Sequence, residues 1–350
     1  MTRVHPTRWA DHVAAWIAAD KCGTMDYLVR DLALRLDPAR IQPGLKSIIL
    51  VADLYEKRGH PNTAPLPPGH ARVARYAQGA DYHPTVKKRL YALSDALRER
   101  FKSAQFKSFT DTVPLFEREH AEHAGLGWVG KNTMLIHPRL GSNFVLGGVL
   151  TTLELDPPDE QSRIADACGT CTRCIDACPT RAITPYSVDA SRCISYLTIE
   201  REKPIAPEFH AAIGEWIYGC DICQDVCPHN SERPEGTDIG TPNAAYSPLR
   251  RSFDALSILG WIEDDRQREF DGSPMKRATL AMMKRNAMIV AANTLPPDQL
   301  TALASRLRSI QTDRNEPEHV RATAQQVAAS IHAKLAGSTI APAAPPPAQG

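Results

Sequence analysis

Apolar positions along the first half of the chain form two kinds of pattern. Residues 9 to 36 carry apolar side chains at helical spacing, with breaks near Gly23 and Pro38. Residues 46 to 52 form a short β-branched apolar run that is typical of a buried strand, and residues 144 to 153 predict a second one. Between them, residues 84 to 102 predict a basic amphipathic helix. This alternation of helix and strand predicts an α/β domain.

The second half of the chain changes character twice. Pro157 and Pro158 mark a boundary before a cysteine-rich segment, and from about residue 247 the pattern becomes one of stacked helix pairs. The last residues are rich in proline and alanine, which favours disorder. The sequence therefore predicts four segments: an α/β domain at 1–158, a cysteine-rich domain at 159–240, an all-α domain at 245–336 and a disordered tail at 337–350.

Composition adds little, because the formal net charge of the 350 residues is only +1. A nucleic-acid surface would have to be a local basic patch rather than a global field. No apolar run approaches the roughly 18–20 residues of a membrane-spanning helix, and the first residues show neither an apolar signal segment nor a twin-arginine pair. We therefore expect a cytoplasmic protein without a membrane partner, whose closely spaced cysteines bind metal rather than form disulfides.

Eight of the nine cysteines lie between residues 168 and 227. The first motif is Cys-x2-Cys-x2-Cys-x3-Cys-Pro, in which three thiolates bind one 4Fe–4S cluster and the fourth reaches a second cluster. By this crossed pattern, the first cluster takes Cys168, Cys171, Cys174 and Cys227. The second takes Cys178, Cys193, Cys220 and Cys223. A zinc site of four thiolates is the alternative, which the triple spacing disfavours, and Cys22 stands apart as a buried or idle thiol.

A glycine pattern at residues 125–130 matches G-x-G-x-x-G, and residues 125–131 almost complete a phosphate-binding loop. A nucleotide site of either kind must follow a strand and open a helix. Here residues 115–124 predict a helix and residues 131–136 an extended segment, which is the opposite order. We therefore expect the glycines to allow a close backbone approach to some other bulky group.

Longer motifs resemble those of one enzyme family. They include Ala-Gly-Leu-Gly-Trp-Val-Gly-Lys-Asn at 124–132 and Tyr-Gly-Cys-Asp-Ile-Cys-Gln-Asp-Val-Cys-Pro at 218–228, with further matches at 72–83, 111–118 and 192–200. On these motifs, which extend over most of residues 20–290, the chain resembles the epoxyqueuosine reductases. Members of that family are cobalamin-dependent iron–sulfur oxidoreductases that remove the epoxide oxygen from epoxyqueuosine in the tRNA anticodon loop, the last step of queuosine synthesis.

The resemblance implies the same reaction, with electrons passing through the two clusters to cobalamin. It implies an α/β cobalamin-binding domain, a ferredoxin-like domain with two 4Fe–4S clusters, and a C-terminal all-α HEAT-like repeat that binds tRNA. The implied partners are a tRNA carrying epoxyqueuosine and an electron donor that the sequence does not identify. We expect a monomer.

The same resemblance makes Asp111 the proton donor, with a simple turn aspartate as the alternative. To donate near neutral pH, Asp111 would need a pKa raised by burial. The cobalamin contacts implied by motif matching are Arg35, Asp111, Leu135, Leu146, Ser195, Cys220 and Asp221.

A tRNA partner requires phosphate contacts from basic residues. The candidates are Arg72, Arg75, Lys87, Lys88, Arg89, Lys276, Arg277, Lys284 and Arg285. Any of them could equally be an ordinary solvated surface charge.

Two departures from the family pattern stand out. Relatives begin with an additional helix and strand before the segment that starts near His12. A lost strand would expose a sheet edge, so we expect a misassigned start or a truncated chain. In addition, Gly148 stands where relatives carry glutamate after a Leu-Gly pair.

Two other classes of protein share part of these features. A reductive dehalogenase also combines cobalamin with two clusters, but it usually carries an export signal and is not expected to have the Asp111 motif. A dicluster ferredoxin-type electron carrier would not need the roughly 160 residues before the cysteines. Product formation from epoxyqueuosine tRNA distinguishes all three.

Overall fold

The computed structural model describes residues 1–156, 164–234 and 239–338. The predicted boundary at Pro157 and Pro158 lies outside these ranges, as do residues 339–350 of the tail predicted to be disordered at 337–350. Residues 337 and 338 of that tail instead form the end of a helix, so the prediction is wrong for these two residues. The strands are β1 (Thr2–Arg3), β2 (Ser47–Leu54), β3 (His70–Val73), β4 (Phe106–Phe109), β5 (Trp128–Val129), β6 (Leu135–Ile136), β7 (Phe144–Thr151), β8 (Ile183–Thr184), β9 (Ser187–Val188), β10 (Trp216–Tyr218) and β11 (Ser252–Asp254).

The helices are α1 (Ala10–Ala18), α2 (Asp26–Arg30), α3 (Leu32–Leu36), α4 (Tyr82–Arg100), α5 (Glu117–His123), α6 (Arg173–Asp176), α7 (Ile194–Ile199), α8 (His210–Ile213), α9 (Ile222–Asp225), α10 (Ala255–Ile258), α11 (Glu263–Phe270), α12 (Leu280–Thr294), α13 (Pro297–Thr312) and α14 (Glu318–Ser338). Single turns of 3-10 helix lie at Pro38–Ile41, Arg75–Ala77, Ala190–Arg192, Pro207–Phe209, Pro228–Asn230, Ala244–Tyr246 and Pro274–Arg277.

The main sheet has the strand order β1-β2-β7-β4, and every pair in it is antiparallel. β2 and β7 pair over eight residues each. Both faces of the sheet are apolar because both are covered. Leu50 and Leu150 face the side that includes Leu115 and Phe109, whereas Val149 faces Val86 on α4.

The predicted strands and the amphipathic helix are confirmed to within two residues at each end. The helical prediction over residues 9–36 is confirmed together with its break near Gly23, because α1 ends before that residue and α2 and α3 follow it. Asp20 and Gly23, with φ of +54° and +58°, lie just after α1. A left-handed residue cannot continue a right-handed helix, so the pattern is broken at this point.

Gly148 lies in the centre of the main sheet, where it pairs with Leu50 on β2 and Phe109 on β4. A Cβ added to it would lie 2.3 Å from the carbonyl oxygen of Ile49 and 2.8 Å from the ring of Phe109. Phe109 is fully buried. In this chain the ring of Phe109 therefore occupies the space that any side chain at position 148 would need.

A second sheet, in the order β10-β3-β11, joins three distant parts of the chain. β3 pairs in parallel with β10 and antiparallel with β11. One hydrophobic core runs from β3 through β10 and α7 to α12, α13 and α14. The core is thus continuous across the predicted segment boundary at 240–245, and the C-terminal helices do not have a core of their own.

The C-terminal region contains the expected helices. α13 packs along α14, and α12 packs against both of them. Thr279 caps α12 by accepting a hydrogen bond from the backbone N–H of Met282. In the part of the chain that the structure describes, no helix combines the length and the hydropathy that crossing a membrane requires.

Replacing Gly148 by alanine is expected to destabilise the protein by about 1–3 kcal/mol, since the added methyl group overpacks a closed sheet. Gly260→Ala is a matched control, because its Cβ would meet the flexible guanidinium of Arg306 at 3.3 Å and the carbonyl oxygen of Ser257 at an ordinary 3.5 Å. Urea unfolding midpoints, measured anaerobically with the same iron content in each sample, compare the two variants. Equal midpoints would contradict the crowding at position 148.

Candidate functional site

All nine cysteines lie within the described ranges, and all are free thiols. One group of four lines a single cavity: Cys168, Cys171, Cys174 and Cys227. In the other group, burial raises the pKa of Cys220, and the neighbouring Cys223 and Cys193 raise it further. Cys178 belongs to the same group, since its charge acts on Cys193. The structure thus brings the eight cysteines together in two sets of four, and their assignment to two clusters stays a prediction.

Short helices present the central thiols of both groups. α6 carries Cys174 and α9 carries Cys223, and the two helices pack against each other. Cys223 also lies close enough to Cys174 to be affected by its charge. Burial that raises the pKa of Cys223 disfavours a bare thiolate, so iron is the kind of cation that would stabilise these sulfurs.

The glycine segment at 125–130 follows α5 and leads into the β5–β6 hairpin, so the strand–glycine–helix order of a nucleotide site is not formed. Its glycines allow close packing, because a Cβ on Gly127 would lie 2.2 Å from the carbonyl oxygen of Ile136.

The two residues after this segment, Lys131 and Asn132, hold the cysteine loops. Lys131 Nζ donates to the carbonyl oxygens of Gly169 at 2.7 Å and Cys171 at 3.1 Å.

Asn132 extends this contact to the other cysteine group, donating from Nδ2 to the carbonyl oxygen of Cys223 at 3.3 Å. Lys131 and Asn132 thus attach both groups to the α/β domain. Sequence reasoning missed this role, because main-chain acceptors far away in the sequence leave no signal in a motif.

Asp111 lies in the loop between β4 and α5, with a φ of +51°. Aspartate tolerates this left-handed conformation better than most residues. Its side chain is 62% exposed, and Oδ2 accepts a hydrogen bond from the hydroxyl of Tyr82 at 2.8 Å and lies 3.7 Å from Nε2 of His83. Its backbone N–H donates to Oε1 of Glu117 at 3.2 Å. These contacts fix one side of the carboxylate, and its other side is open to solvent.

The raised pKa that proton donation near neutral pH would require is not found at Asp111. Desolvation by its surroundings raises the pKa, but the combined effect of His83, Tyr82 and Arg277 outweighs it, and the pKa of Asp111 lies below its ordinary value. Glu117 behaves in the opposite way, since burial and the charge of Asp111 raise its pKa to about 8. Charge-stabilising donors, rather than burial, dominate at Asp111.

Several charged groups surround Asp111. Arg277 forms a bidentate pair with Glu200, at 2.5 and 2.7 Å, and its guanidinium lies over the ring of Tyr27. Arg35 is also close enough to Glu117 to lower its pKa, whereas Asp111 raises it. The enclosed Nε of Arg35 has no hydrogen-bond partner among the described residues. A buried donor without a partner calls for an explanation, and a ligand that accepts a hydrogen bond from Arg35 would supply one.

The other predicted cobalamin contacts differ in accessibility. Leu135 is buried in β6, and Leu146 is half-buried in β7. Ser195, in the first turn of α7, is half-buried, as is Cys220. The carboxylate of Asp221 is buried, accepting hydrogen bonds from Asn62 Nδ2 and the backbone N–H of Arg75. The side chain of Asp221 is therefore already used inside the protein.

Three of the predicted phosphate contacts are wrong because the arginines are buried. Arg72 pairs with Glu215 at 2.6 Å, and Arg75 pairs with Asp225 at 2.5 Å. Arg285 is fully buried and donates to main-chain carbonyl oxygens, including that of Leu197 at 2.7 Å. Their guanidinium groups satisfy buried acceptors and cannot reach a phosphate.

The remaining candidates keep some access to solvent. Lys284 is largely enclosed by its ion pair with Glu316, and Arg89 is paired with Asp53 although its side chain is 67% exposed. Lys88, Lys276 and Arg277 are exposed, and Lys87 is half-buried.

A mixed α/β fold that carries eight thiols in two groups of four defines, as a class, an iron–sulfur protein with two clusters. A family model described as "4Fe-4S double cluster binding domain" matches residues 167–230, and one described as "Epoxyqueuosine reductase QueG, DUF1730" matches residues 35–112. The epoxyqueuosine reductase of Leadbetterella byssophila is 38% identical over 284 residues, covering 80% of this chain and 89% of that relative. The chain belongs to the epoxyqueuosine reductase family.

Solved structures agree with this membership. A crystal structure of an epoxyqueuosine reductase with an epoxyqueuosine-modified tRNA-Tyr stem loop matches with a TM-score of 0.81 at 28% identity, covering 94% of this chain and 85% of that one. The Bacillus subtilis epoxyqueuosine reductase, with its catalytic aspartate loop swung out of the active site, matches with a TM-score of 0.80 at 27% identity and the same coverage. The resemblance and the double-cluster domain expected from the sequence are confirmed.

Removing one thiol from either group is expected to remove one cluster. Cys227→Ala and Cys178→Ala should each lower the iron content from about eight to about four per chain, and reduced samples should lose the magnetic coupling between two clusters in electron paramagnetic resonance. Cys22→Ala is the matched control, because Cys22 is buried outside both groups. Full iron content in either test variant, or zinc in place of iron, would contradict the assignment.

Proposed function

We propose that this protein reduces epoxyqueuosine to queuosine in the anticodon loop of tRNA, as its family name implies. The observation that carries the proposal is the position of Arg118. Its guanidinium is acted on by Glu117, by Asp111 and by the thiol of Cys223. One side chain is therefore near both the candidate acid and the second cysteine group, so electrons and protons would arrive at neighbouring places.

The residues present fit the cofactors of such a reaction. The two cysteine groups would hold two 4Fe–4S clusters, divided as the crossed pattern predicts. Arg35, with its unpartnered Nε, the half-buried Ser195 and the open side of Asp111 would contact cobalamin, together with main-chain groups near Leu135 and Leu146. When bound, the clusters supply electrons singly and cobalamin combines two of them at the substrate.

Asp111 would act on the oxygen of the substrate. Conversion of an epoxide to an alkene takes up two electrons and two protons and releases the oxygen as water. The exposed carboxylate is the acid within reach of a bound nucleoside, and the hydrogen bond from Tyr82 fixes its orientation. An acid placed at the departing oxygen neutralises the charge that develops as the carbon–oxygen bond breaks.

The tRNA surface would lie beside this site. Lys276 and Arg277 are close enough to act electrostatically on Asp81 and Asp111, respectively. Lys88 lies on α4, less than two turns after Tyr82. Positive charge around the open side of Asp111 would hold the anticodon-loop phosphates while the modified base turns outward into the site.

The activity test uses reduced, cobalamin-loaded protein and a tRNA stem loop carrying epoxyqueuosine, with nucleoside mass spectrometry to detect queuosine. Wild type should form queuosine, whereas Asp111→Asn should be slower by about 10²–10⁴-fold, since general acid catalysis is lost. Asp20→Asn is the matched control, because Asp20 is an exposed aspartate with a similar φ of +54°. No product from the wild type, as expected for an electron carrier, would overturn the function.

Lys276→Ala is expected to weaken binding of the stem loop and to reduce the slope of log affinity against log salt concentration by roughly 0.7–1, the contribution of one phosphate contact. Lys102→Ala is the control, because Lys102 follows the far end of α4, whose 19 residues place it about 28 Å from Tyr82. Fluorescence anisotropy at several salt concentrations gives both quantities. Identical slopes for the two variants would exclude Lys276 from the surface.

A further inference from the structure

The imidazole of His83 lies between two carboxylates. Its Nδ1 is 2.8 Å from Oδ1 of Asp81, and its Nε2 is 3.7 Å from Oδ2 of Asp111. Asp81 caps α4 by accepting a hydrogen bond from the backbone N–H of His83 at 3.0 Å. The ring stacks on Tyr82 with a centroid distance of 4.1 Å. The ring is therefore fixed in its direction and in its distance from Asp111.

This geometry favours a protonated ring. An ionised carboxylate only accepts hydrogen bonds, so a proton on each ring nitrogen makes both contacts attractive. In agreement, the carboxylates of Asp111 and Asp81 raise the pKa of His83 to about 9.

The charged and titratable groups packed around His83 and Asp111 come from three parts of the chain. Asp81 and Tyr82 lie at the start of α4, Glu117 on α5, and Lys276 and Arg277 in the 3-10 turn before α12. The two basic groups act on Asp81 and Asp111 rather than on His83. The carboxylates thus dominate at the imidazole, which keeps its positive charge.

The carboxyl group of Asp111 is rarely protonated near neutral pH, because its pKa lies below the ordinary value. We propose that His83 is the proton store of this site and that Asp111 transfers its proton to the departing oxygen of the epoxide. This inference rests on the proposed function. It assigns His83 as a positioning and proton-supplying residue that acts through Asp111.

Reduction of the epoxide to an alkene consumes two electrons and two protons and releases water. Two electrons enter from the reduced cofactors, and the first carbon–oxygen bond breaks while a proton moves from His83 through Asp111 to the oxygen. The second carbon–oxygen bond then breaks, a carbon–carbon double bond forms, and a second proton, taken from solvent at the exposed side of Asp111, completes the water molecule. Neutral His83 regains its proton from solvent before the next turnover.

The first test measures the charge of His83 without any reaction. Full-length, cluster-loaded protein is labelled with 15N in its histidines, and the His83 ring signals are assigned by their loss in His83→Gln. Both ring nitrogens should be protonated at pH 7 and titrate near pH 9, and Asp81→Asn should lower that midpoint. A midpoint at or below about 6.5, the value of a free histidine, would overturn the proposal.

The second test is the pH profile of single-turnover queuosine formation. Wild type should keep a constant rate up to about pH 9, the pKa of His83. His83→Gln should be at least about 10-fold slower at pH 8, and its rate should rise tenfold for each unit of falling pH, because Asp111 must then take its proton directly from solvent. His60→Gln, an exposed histidine paired with Glu56, is the control and should match the wild type.

The outcomes separate this inference from the proposed function. If the wild type forms no queuosine, the function fails, while the titration of His83 still decides whether the charged imidazole exists. If His83→Gln is slowed equally at every pH, its role is only structural and the proton store is overturned. The same conclusion follows if Glu117→Gln, rather than His83→Gln, changes the profile.

Discussion

The buried guanidinium of Arg75 holds the cysteine domain on the α/β domain, and the placement of the second thiol group depends on it. Arg75 pairs with Asp225 at 2.5 Å, and its backbone N–H donates to Asp221 at 2.8 Å. These two aspartates flank Cys223 on α9. Burial and the nearby Asp221 raise the pKa of Asp225 to about 6 against the opposing charge of Arg75. Removing one partner of such a buried pair typically costs about 3–5 kcal/mol, since the other charge is left unpaired.

The rest of the site follows from this attachment. With α9 held by Arg75, Asn132 reaches the carbonyl oxygen of Cys223, and Lys131 reaches the first cysteine loop. Arg118 is near enough to both Cys223 and Asp111 to be acted on by each. Residues 125–130, which precede Lys131 and Asn132, can lie close to β6 because position 127 is a glycine, whereas a side chain there would collide with the β6 backbone. Short contacts bring the redox and acid groups together.

Two aspartates show how environment assigns different tasks to one residue type. Asp221 is buried and neutralises Arg75, whereas Asp111 is exposed and receives donors only on one side. His83 and Tyr82 keep Asp111 ionised, so its use as an acid depends on a neighbour that can supply a proton. The same contrast separates the basic residues: Arg72 and Arg285 satisfy buried acceptors, while Lys276 remains in solvent beside the site.

The sequence by itself determined the features that are local or depend on spacing. Short apolar runs predicted β2 and β7, helical periodicity predicted α4, and cysteine spacing predicted the double-cluster domain and its division into two groups. The order of α5, glycines and hairpin also excluded a nucleotide site, because each of these elements can be recognised from its own residues. The family motifs then supplied the candidate reaction and drew attention to Asp111.

Only the tertiary structure decided the properties that depend on residues distant in the chain. The burial of Arg75 and Arg285, the crowding at Gly148 and the lowered pKa of Asp111 all arise from partners in other elements. The pairing of His83 with Asp111 joins residues 28 positions apart through the packing of α4 on the main sheet. Spacing specifies which residues can lie on one element, but the charge and accessibility of a side chain are set by what the fold places against it.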